Sequence, residues 1–407
     1  MSQRLAQIKD HLTIKQQPTV KDKNADDVVV VAAYRSALAK GFKGGFKDVN
    51  SDYLLYQFLL KFFDKLPTEL QINRQLIEEV ACGNVLNPGA GATEHRAACL
   101  AAGIPHTTPF VAINRQCSSG LTAVNDIANK IKVGQINIGL ALGAESMSKN
   151  YGPKALGNVS QEMKENDAAA KCLIPMGITN ENVSQQYHVS RKRQDEFAAN
   201  SYNKAERAVS EGLFKDEILA IPLPDGQIIE KDEGPRKGVT PQGLAQIKPA
   251  FIKEKGVTTA GNASQISDGV AGVLLARRSV AAELGLPILG KYVAFQTVGV
   301  PPEIMGVGPA YAIPKVLGDI NLSTEEVDVF EINEAFAGQA LYCIEKLNIP
   351  PSKLNPRGGA IALGHPLGCT GARQVATLLR ELETGQIGVV SMCIGTGMGA
   401  AAVFVKE

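Results

Sequence analysis

Apolar and polar positions follow one plan twice along this chain. In FVAINRQCSSGLTAVNDIANKIKVGQINIGLALG and again in AIALGHPLGCTGARQVATLLRELETGQIGVVSMCIG, an apolar run meets a turn carrying Gly and a hydroxyl residue. About four helical turns follow, then Gly-Gln-Ile and a second apolar run. The apolar runs predict strands. The middle segments predict helices, because Leu121, Val124, Ala128 and Ile131 trace one stripe at helical spacing and Val375, Leu378, Leu379 and Leu382 trace another. The same offset of 251 residues separates Gly120 from Gly371 and Gly134 from Gly385. Two halves of one architecture are therefore expected, each an α/β unit with a parallel-rich sheet between helices, stacked into a layered α/β protein.

Between the halves, over 147–256, the pattern changes to polar helical text, RKRQDEFAANSYNKAERAVSEG, and then to the turn-rich LPDGQIIEKDEGPRKGVTPQG. This predicts an inserted excursion, a common source of binding surface on a rigid scaffold.

Composition narrows the partners. The chain has 407 residues, 44% hydrophobic and 20% charged, with a net charge of +1, which offers no footprint for nucleic acid and no basic face for a membrane. No stretch approaches the roughly 18 apolar residues of a membrane span. Seven cysteines, an odd number, are scattered without a Cys-x-x-Cys pair, which predicts free thiols and no metal site. Cys82, Cys99, Cys172, Cys343 and Cys369 are expected to be small buried hydrophobes.

Ligands of parallel sheets sit at the carboxyl ends of strands, and four residues stand there. Cys117 follows the strand FVAIN and opens a helix near Ser118, where unpaired backbone N–H groups and a positive dipole end favour thiolate; a buried helix-start cysteine is the structural alternative. Cys393 ends the strand GVVSM before IGTGMGA, whose glycines aim backbone N–H groups at a ligand as an oxyanion hole. Asn333 ends VDVFEIN and is equally suited to cap the following helix. His365 lies among Gly359, Gly364 and Gly368, a bed expected to leave room for a substrate beside the imidazole.

Taken together, NRQCSSGLTA, MGITNENV, TAGNASQISDG, EINEAFA, NPRGGAIALGHPLGCTGAR and CIGTGMG resemble the signature blocks of the thiolase family, in order, over residues 28–407. The resemblance implies the thiolase-like layered fold, with halves at 28–146 plus 257–287 and at 288–407, a CoA-binding loop domain at 147–256, and an amino-terminal targeting segment at 1–27. It implies CoA-dependent cleavage of 3-oxoacyl-CoA to acetyl-CoA and an acyl-CoA two carbons shorter, the last step of fatty-acid β-oxidation. In that reaction Cys117 is the nucleophile, His365 the base with an imidazole near its natural pKa, and Cys393 the acid and base at C2. Backbone N–H groups of Cys117 and Gly395 form one oxyanion hole; His365 and a water held by Asn333 form the other. Ser264, Met176, Met305, Phe336 and Arg236 are expected to line or edge the CoA groove. No permanently bound cofactor is implied, coenzyme A being a co-substrate.

The family is built on dimers, so a homodimer is expected. Arg4-Leu5 and His11-Leu12 are similar to a peroxisomal targeting signal, which implies an import receptor as partner and the peroxisome as location. The alternatives are an acetoacetyl-CoA thiolase working in the condensing direction, a decarboxylating condensing enzyme on the same fold, and a non-catalytic acyl-CoA carrier. Pro175, where short-chain biosynthetic relatives usually carry His, argues for a degradative enzyme.

Overall fold

The computed structural model describes residues 19–152 and 157–407; Arg4, Leu5, His11 and Leu12 lie outside the described residues. The first half contains β1 (Val28–Ser36), α1 (Ser51–Asp64), β2 (Glu79–Gly83), β3 (Phe110–Ile113), α2 (Ser119–Lys132) and β4 (Ile138–Ser146). The excursion carries α3 (Met176–Gln186) and α4 (Arg191–Ser210), and β5 (Ser267–Arg277) returns to the first half. The second half follows with β6 (Gly290–Gly299), α5 (Gly308–Gly318), β7 (Val329–Ile332), α6 (Ala337–Lys346), α7 (Leu367–Glu381), β8 (Ile387–Ile394) and β9 (Met398–Lys406).

The strands run in the order β7-β8-β9-β6-β1-β5-β4-β2-β3. Pairing is parallel where a helix crosses over, between β2 and β3, β2 and β4, and β7 and β8. It is antiparallel in the β8–β9 hairpin through residues 395–397, too short a link to cross over, and also between β4 and β5, which the long excursion joins. The halves meet edge to edge where Val28, Val29 and Val30 pair with Tyr292, Lys291 and Gly290.

Three apolar cores separate the layers. Phe58, Leu59 and Phe62 of α1 pack with Val29, Leu140 and Leu274 on one outer face. Ile313 and Val316 of α5 pack with Phe330, Val389 and Val403 on the other. Between the sheets, α2 and α7 share a core with Ala141, Val273, Val390 and Ala402. Helix, sheet, helix, sheet and helix thus alternate as the duplicated pattern predicts. The expected stripes on α2 and α7 are buried in that middle core.

The repeat offset acquires a physical reason at the crossing of α2 and α7. A Cβ on Gly120 would stand 2.5 Å from the Gly368 carbonyl oxygen, and one on Gly371 would stand 2.3 Å from the Leu121 nitrogen. Both helices need glycine because each backbone touches the other, and backbone cannot yield as a flexible side chain does. Gly371→Ala is therefore expected to destabilise the fold by about 1–3 kcal/mol through overpacking. A thermal melt reads this directly; an unchanged Tm would contradict the close crossing.

The glycines around His365 have this same use, which corrects the expectation of room for substrate. A Cβ on Gly359 would meet the Glu334 carboxylate at 2.1 Å, one on Gly364 the Ser267 hydroxyl at 2.6 Å, and one on Gly368 the Gly83 carbonyl oxygen at 2.6 Å. Protein, rather than open space, fills what these residues leave out.

Two local expectations also change. Ala360–Leu363 forms one turn of helix instead of a strand, so the second half lacks a counterpart of β3. Its Ala and Leu residues favour helix, and Glu334 accepts the Ile361 N–H at 3.3 Å. Asn333 caps nothing: α6 begins at Ala337, with Phe336 in the capping position.

The polar text of the excursion forms α4 behind a Ser190 cap, as its pattern predicts. Fully buried Arg35 fastens the excursion to the first half, donating to Glu217 at 2.6 Å and to both Asp232 oxygens at 2.6 and 2.8 Å. Its planar fork suits such bidentate pairing.

Candidate active site

Cys117 sits on a tight turn between β3 and α2. Asn114 accepts the Gln116 N–H at 3.0 Å, Ser119 Oγ accepts the Arg115 N–H at 2.9 Å, and that hydroxyl donates to the Gln116 carbonyl at 2.7 Å. This fastening holds Gln116 at φ 46°, in the left-handed region that a side chain disfavours. The strained turn presents Cys117 while leaving it only 9% exposed.

Burial pushes the Cys117 thiol up to about 11, against the backbone N–H groups of Gly395 and of Cys117 itself, with Glu145 adding to the rise. The expectation of a resting thiolate is thereby overturned. Desolvation outweighs the N–H groups of the helix start, and the free site holds a neutral thiol.

The Gly395 N–H comes from the β8–β9 hairpin, where Thr396 and Gly397 take φ 69° and 93°. Of the hairpin glycines, Gly397 is filled by the Val300 carbonyl and Gly399 by Gly308, whereas Gly395 has only the Met176 sulfur and the Gln116 side chain near it, at ordinary contact distance. Cys393 is fully buried two residues earlier, and burial pushes its thiol well up, with Cys117 contributing to that rise. The two sulfurs therefore share one site. Met305, Ala335, Phe336 and Cys393 form a small apolar cluster against which Met176 and Ala263 pack.

His365 and Asn333 pair with each other. Asn333 Nδ2 lies 3.2 Å from His365 Nε2, while Thr370 Oγ1 lies 2.6 Å from Nδ1. The Thr370 hydroxyl donates to the Pro366 carbonyl at 2.9 Å, so it accepts from the ring. The hydrogen-bond pattern thus assigns the proton to Nδ1 and leaves Nε2 as an acceptor. Burial, reinforced by Arg373, pushes the imidazole down to about 3, which corrects the expectation of a ring near its natural pKa. Asn333 donates its backbone N–H to Ser391 on β8 at 2.9 Å, so this pair stands beside the strand that carries Cys393.

Thr370 was missed in the sequence, although a hydroxyl five residues after His365, in the first turn of the helix that follows it, was a readable signal. Thr370→Val removes the acceptor for the Nδ1 proton. Loss of a histidine's orienting partner generally costs about 10- to 100-fold. The fall should appear in kcat with KM nearly unchanged; unaltered kinetics would mean that Thr370 does not set the tautomer. Gln339 was missed as well: its Nε2 donates to the Asn333 carbonyl and its N–H to Asn180 Oδ1, both at 3.0 Å, holding the segment that carries Asn333. Nothing in its sequence position marked it.

The expected groove residues separate into two groups. Met176, Met305 and Phe336 join the apolar cluster, and Ser264 is tied to the same segment by its N–H to the Ala335 carbonyl at 2.9 Å. Arg236 is exposed on a turn, outside that cluster, and its charge is felt by the Tyr202 phenol instead. Cys172 is half-buried, whereas Cys82, Cys99, Cys343 and Cys369 are buried as expected, and all seven cysteines are free.

Comparison with known proteins joins these features to a family. The model of the thiolase amino-terminal domain matches residues 28–279, and that of the thiolase carboxyl-terminal domain matches 286–406. The chain is 70% identical, over the full length of both, to a peroxisomal 3-ketoacyl-CoA thiolase of Saccharomyces cerevisiae. The crystal structure of the dimeric peroxisomal thiolase of that yeast superposes with a TM-score of 0.94 at 71% identity, covering 95% of this chain and 99% of that one. A Bacillus anthracis acetyl-CoA acetyltransferase superposes with a TM-score of 0.82 at 35% identity, over 94% of this chain and 99% of that one. The chain belongs to the thiolase family.

Proposed function

We infer that the chain is a peroxisomal 3-ketoacyl-CoA thiolase, cleaving 3-oxoacyl-CoA with CoA into acetyl-CoA and an acyl-CoA shortened by two carbons. What supports this reading is that Cys117 feels both the Gly395 N–H and the Cys393 sulfur, while Asn333 pairs with His365 beside the strand that carries Cys393. Full-length identity of 70% to a 3-ketoacyl-CoA thiolase, against 35% to an acetyl-CoA acetyltransferase, supports it over the acetoacetyl-CoA alternative.

With a thiol near 11 and an imidazole near 3, no ion pair forms before substrate arrives. Proton transfer from Cys117 to His365 Nε2 is therefore concerted with attack of the sulfur on C3. Negative charge then passes to the carbonyl oxygen, where the N–H groups of Cys117 and Gly395 receive it. The C2–C3 bond breaks, its electrons form the enolate of acetyl-CoA, and the Cys393 thiol protonates C2. Asn333 and His365 flank the enolate's thioester oxygen. In the second half, the Cys393 thiolate takes the proton of incoming CoA, whose sulfur displaces the acyl group from Cys117; the leaving sulfur recovers its proton from His365.

The excursion at 147–256 is the CoA-binding domain in this reading, with Ser264 at the pantetheine and Met176, Met305 and Phe336 along the groove. The working enzyme is a homodimer, as is the yeast thiolase that this chain resembles. The four residues Arg4, Leu5, His11 and Leu12 address it to an import receptor; Leu5→Arg should leave the enzyme outside peroxisomes, and unchanged import would remove that role. Among the described residues, no helix is long and apolar enough to cross a membrane.

A chain-length series of 3-oxoacyl-CoA substrates with CoA tests the activity. Formation of acetyl-CoA with substrates longer than four carbons is expected. Turnover of acetoacetyl-CoA alone would favour the condensing alternative, and carbon dioxide release from a malonyl thioester would overturn the assignment.

A further inference from the structure

The duplication lays Gly368 over Cys117 and Ala144 over Gly395, because both pairs share the 251-residue offset. At the active site, one member of each pair, Cys117 and Gly395, aims its N–H group at the reactive sulfur. At the equivalent turn in the second half, the Gly368 N–H donates to Glu145 Oε2 at 2.9 Å. The same carboxylate accepts from Val85 N–H at 3.0 Å, Leu86 N–H at 3.2 Å and Asn84 Nδ2 at 3.0 Å. Glu145 is fully buried, next to last on the largely apolar strand β4. A buried carboxylate in an anion-binding turn needs a reason, since its burial is costly without such donors.

We propose that Glu145 is a positioning residue for Cys117 and His365: its carboxylate fills the duplicate of the oxyanion turn, pins the start of α7, two residues beyond His365, to the first half, and holds a negative charge within reach of Cys117. This rests on the thiolase reading above. Two consequences are separable. Gly368 lies three residues after His365, so losing the bond frees the turn that aims the imidazole. The charge acts on Cys117 and also on Cys82 of β2 and Cys369 of α7, raising each thiol. Against its four donors, burial pushes Glu145 itself up to about 7, so its charge develops across neutral pH. The other titratable group acting on Cys117 is Cys393.

The test compares wild type, Glu145→Gln and Glu145→Asp in thiolysis and in iodoacetamide labelling of Cys117, read peptide by peptide across pH 6–9. Glu145→Gln is expected to lower kcat up to about 100-fold, as a small misplacement of reacting groups does. It should also raise Cys117 labelling at pH 8, about tenfold, because the opposing charge is gone. The gain should shrink toward pH 6, where the wild-type carboxyl is protonated. Glu145→Asp keeps the charge, so kcat should fall while the labelling profile stays near that of wild type. A purely structural role would lower kcat without raising labelling, and that result overturns the proposal, as does no change in either readout. Should Glu145→Gln not fold, wild type decides: labelling should rise by less than tenfold per pH unit between 6 and 8, and a full tenfold throughout contradicts the proposal. Absence of thiolysis by wild type would instead refute the assigned activity.

Discussion

Cys117→Ala is expected to lower kcat for thiolysis by about 10,000-fold or more, because no acyl-enzyme can form without the sulfur. Cys393 cannot replace it. That thiol is fully buried on a strand, and burial opposes its ionisation. The substitution removes one sulfur from a site bounded by a strained turn whose fastening runs through Asn114 and Ser119, neither of which is touched. Tm should therefore stay within a few degrees, and CoA should still bind. Retention of more than about 1% of wild-type kcat would contradict the assignment of the nucleophile.

His365→Ala is expected to cost about 1,000-fold in kcat, within the range typical of a general base. The pH dependence should change with it, and the sign follows from the two groups. In wild type the imidazole is neutral above about 3 and the thiol is protonated below about 11, so this pair alone gives a flat profile between those limits. The variant has no acceptor for the proton and depends on the small thiolate fraction, which grows with pH up to about 11. Rates should thus climb with pH in the variant and not in wild type. Parallel profiles would show that His365 does not take the Cys117 proton.

The layered fold was legible because duplication repeats its own evidence. Strand, turn and helix recur at one offset, and the stripes on α2 and α7 have one destination, the core between the sheets. What the pattern hid was tertiary. AIAL reads as an apolar run that suits strand or helix, and in the fold the Glu334 carboxylate beneath it accepts the Ile361 N–H of the helical turn. The glycine run around His365 invited a ligand, yet the structure fills it with Glu334, Ser267 and the Gly83 backbone. No local sequence reveals which distant atom will occupy such a place.

The chemistry was legible in its residue types and misjudged in its charges. Cys117, Cys393, Asn333 and His365 were marked by standing just past strand ends, and the structure gathers the cysteines with Gly395 and pairs the amide with the imidazole. A helix start suggested thiolate, but burial is invisible to a local reading and here outweighs the dipole. Thr370 and Glu145 act through bonds made by folding: one sets a tautomer, the other bridges the halves. Arg236 was implied by the family resemblance alone, and the structure leaves it exposed.

The most direct measurement is intact-protein and peptide mass spectrometry after mixing enzyme with 3-oxooctanoyl-CoA in the absence of free CoA. A hexanoyl adduct on the peptide containing Cys117, discharged when CoA is added, is the predicted result. An adduct on Cys393 instead, or acetyl-CoA release with no acylated peptide, would contradict the account.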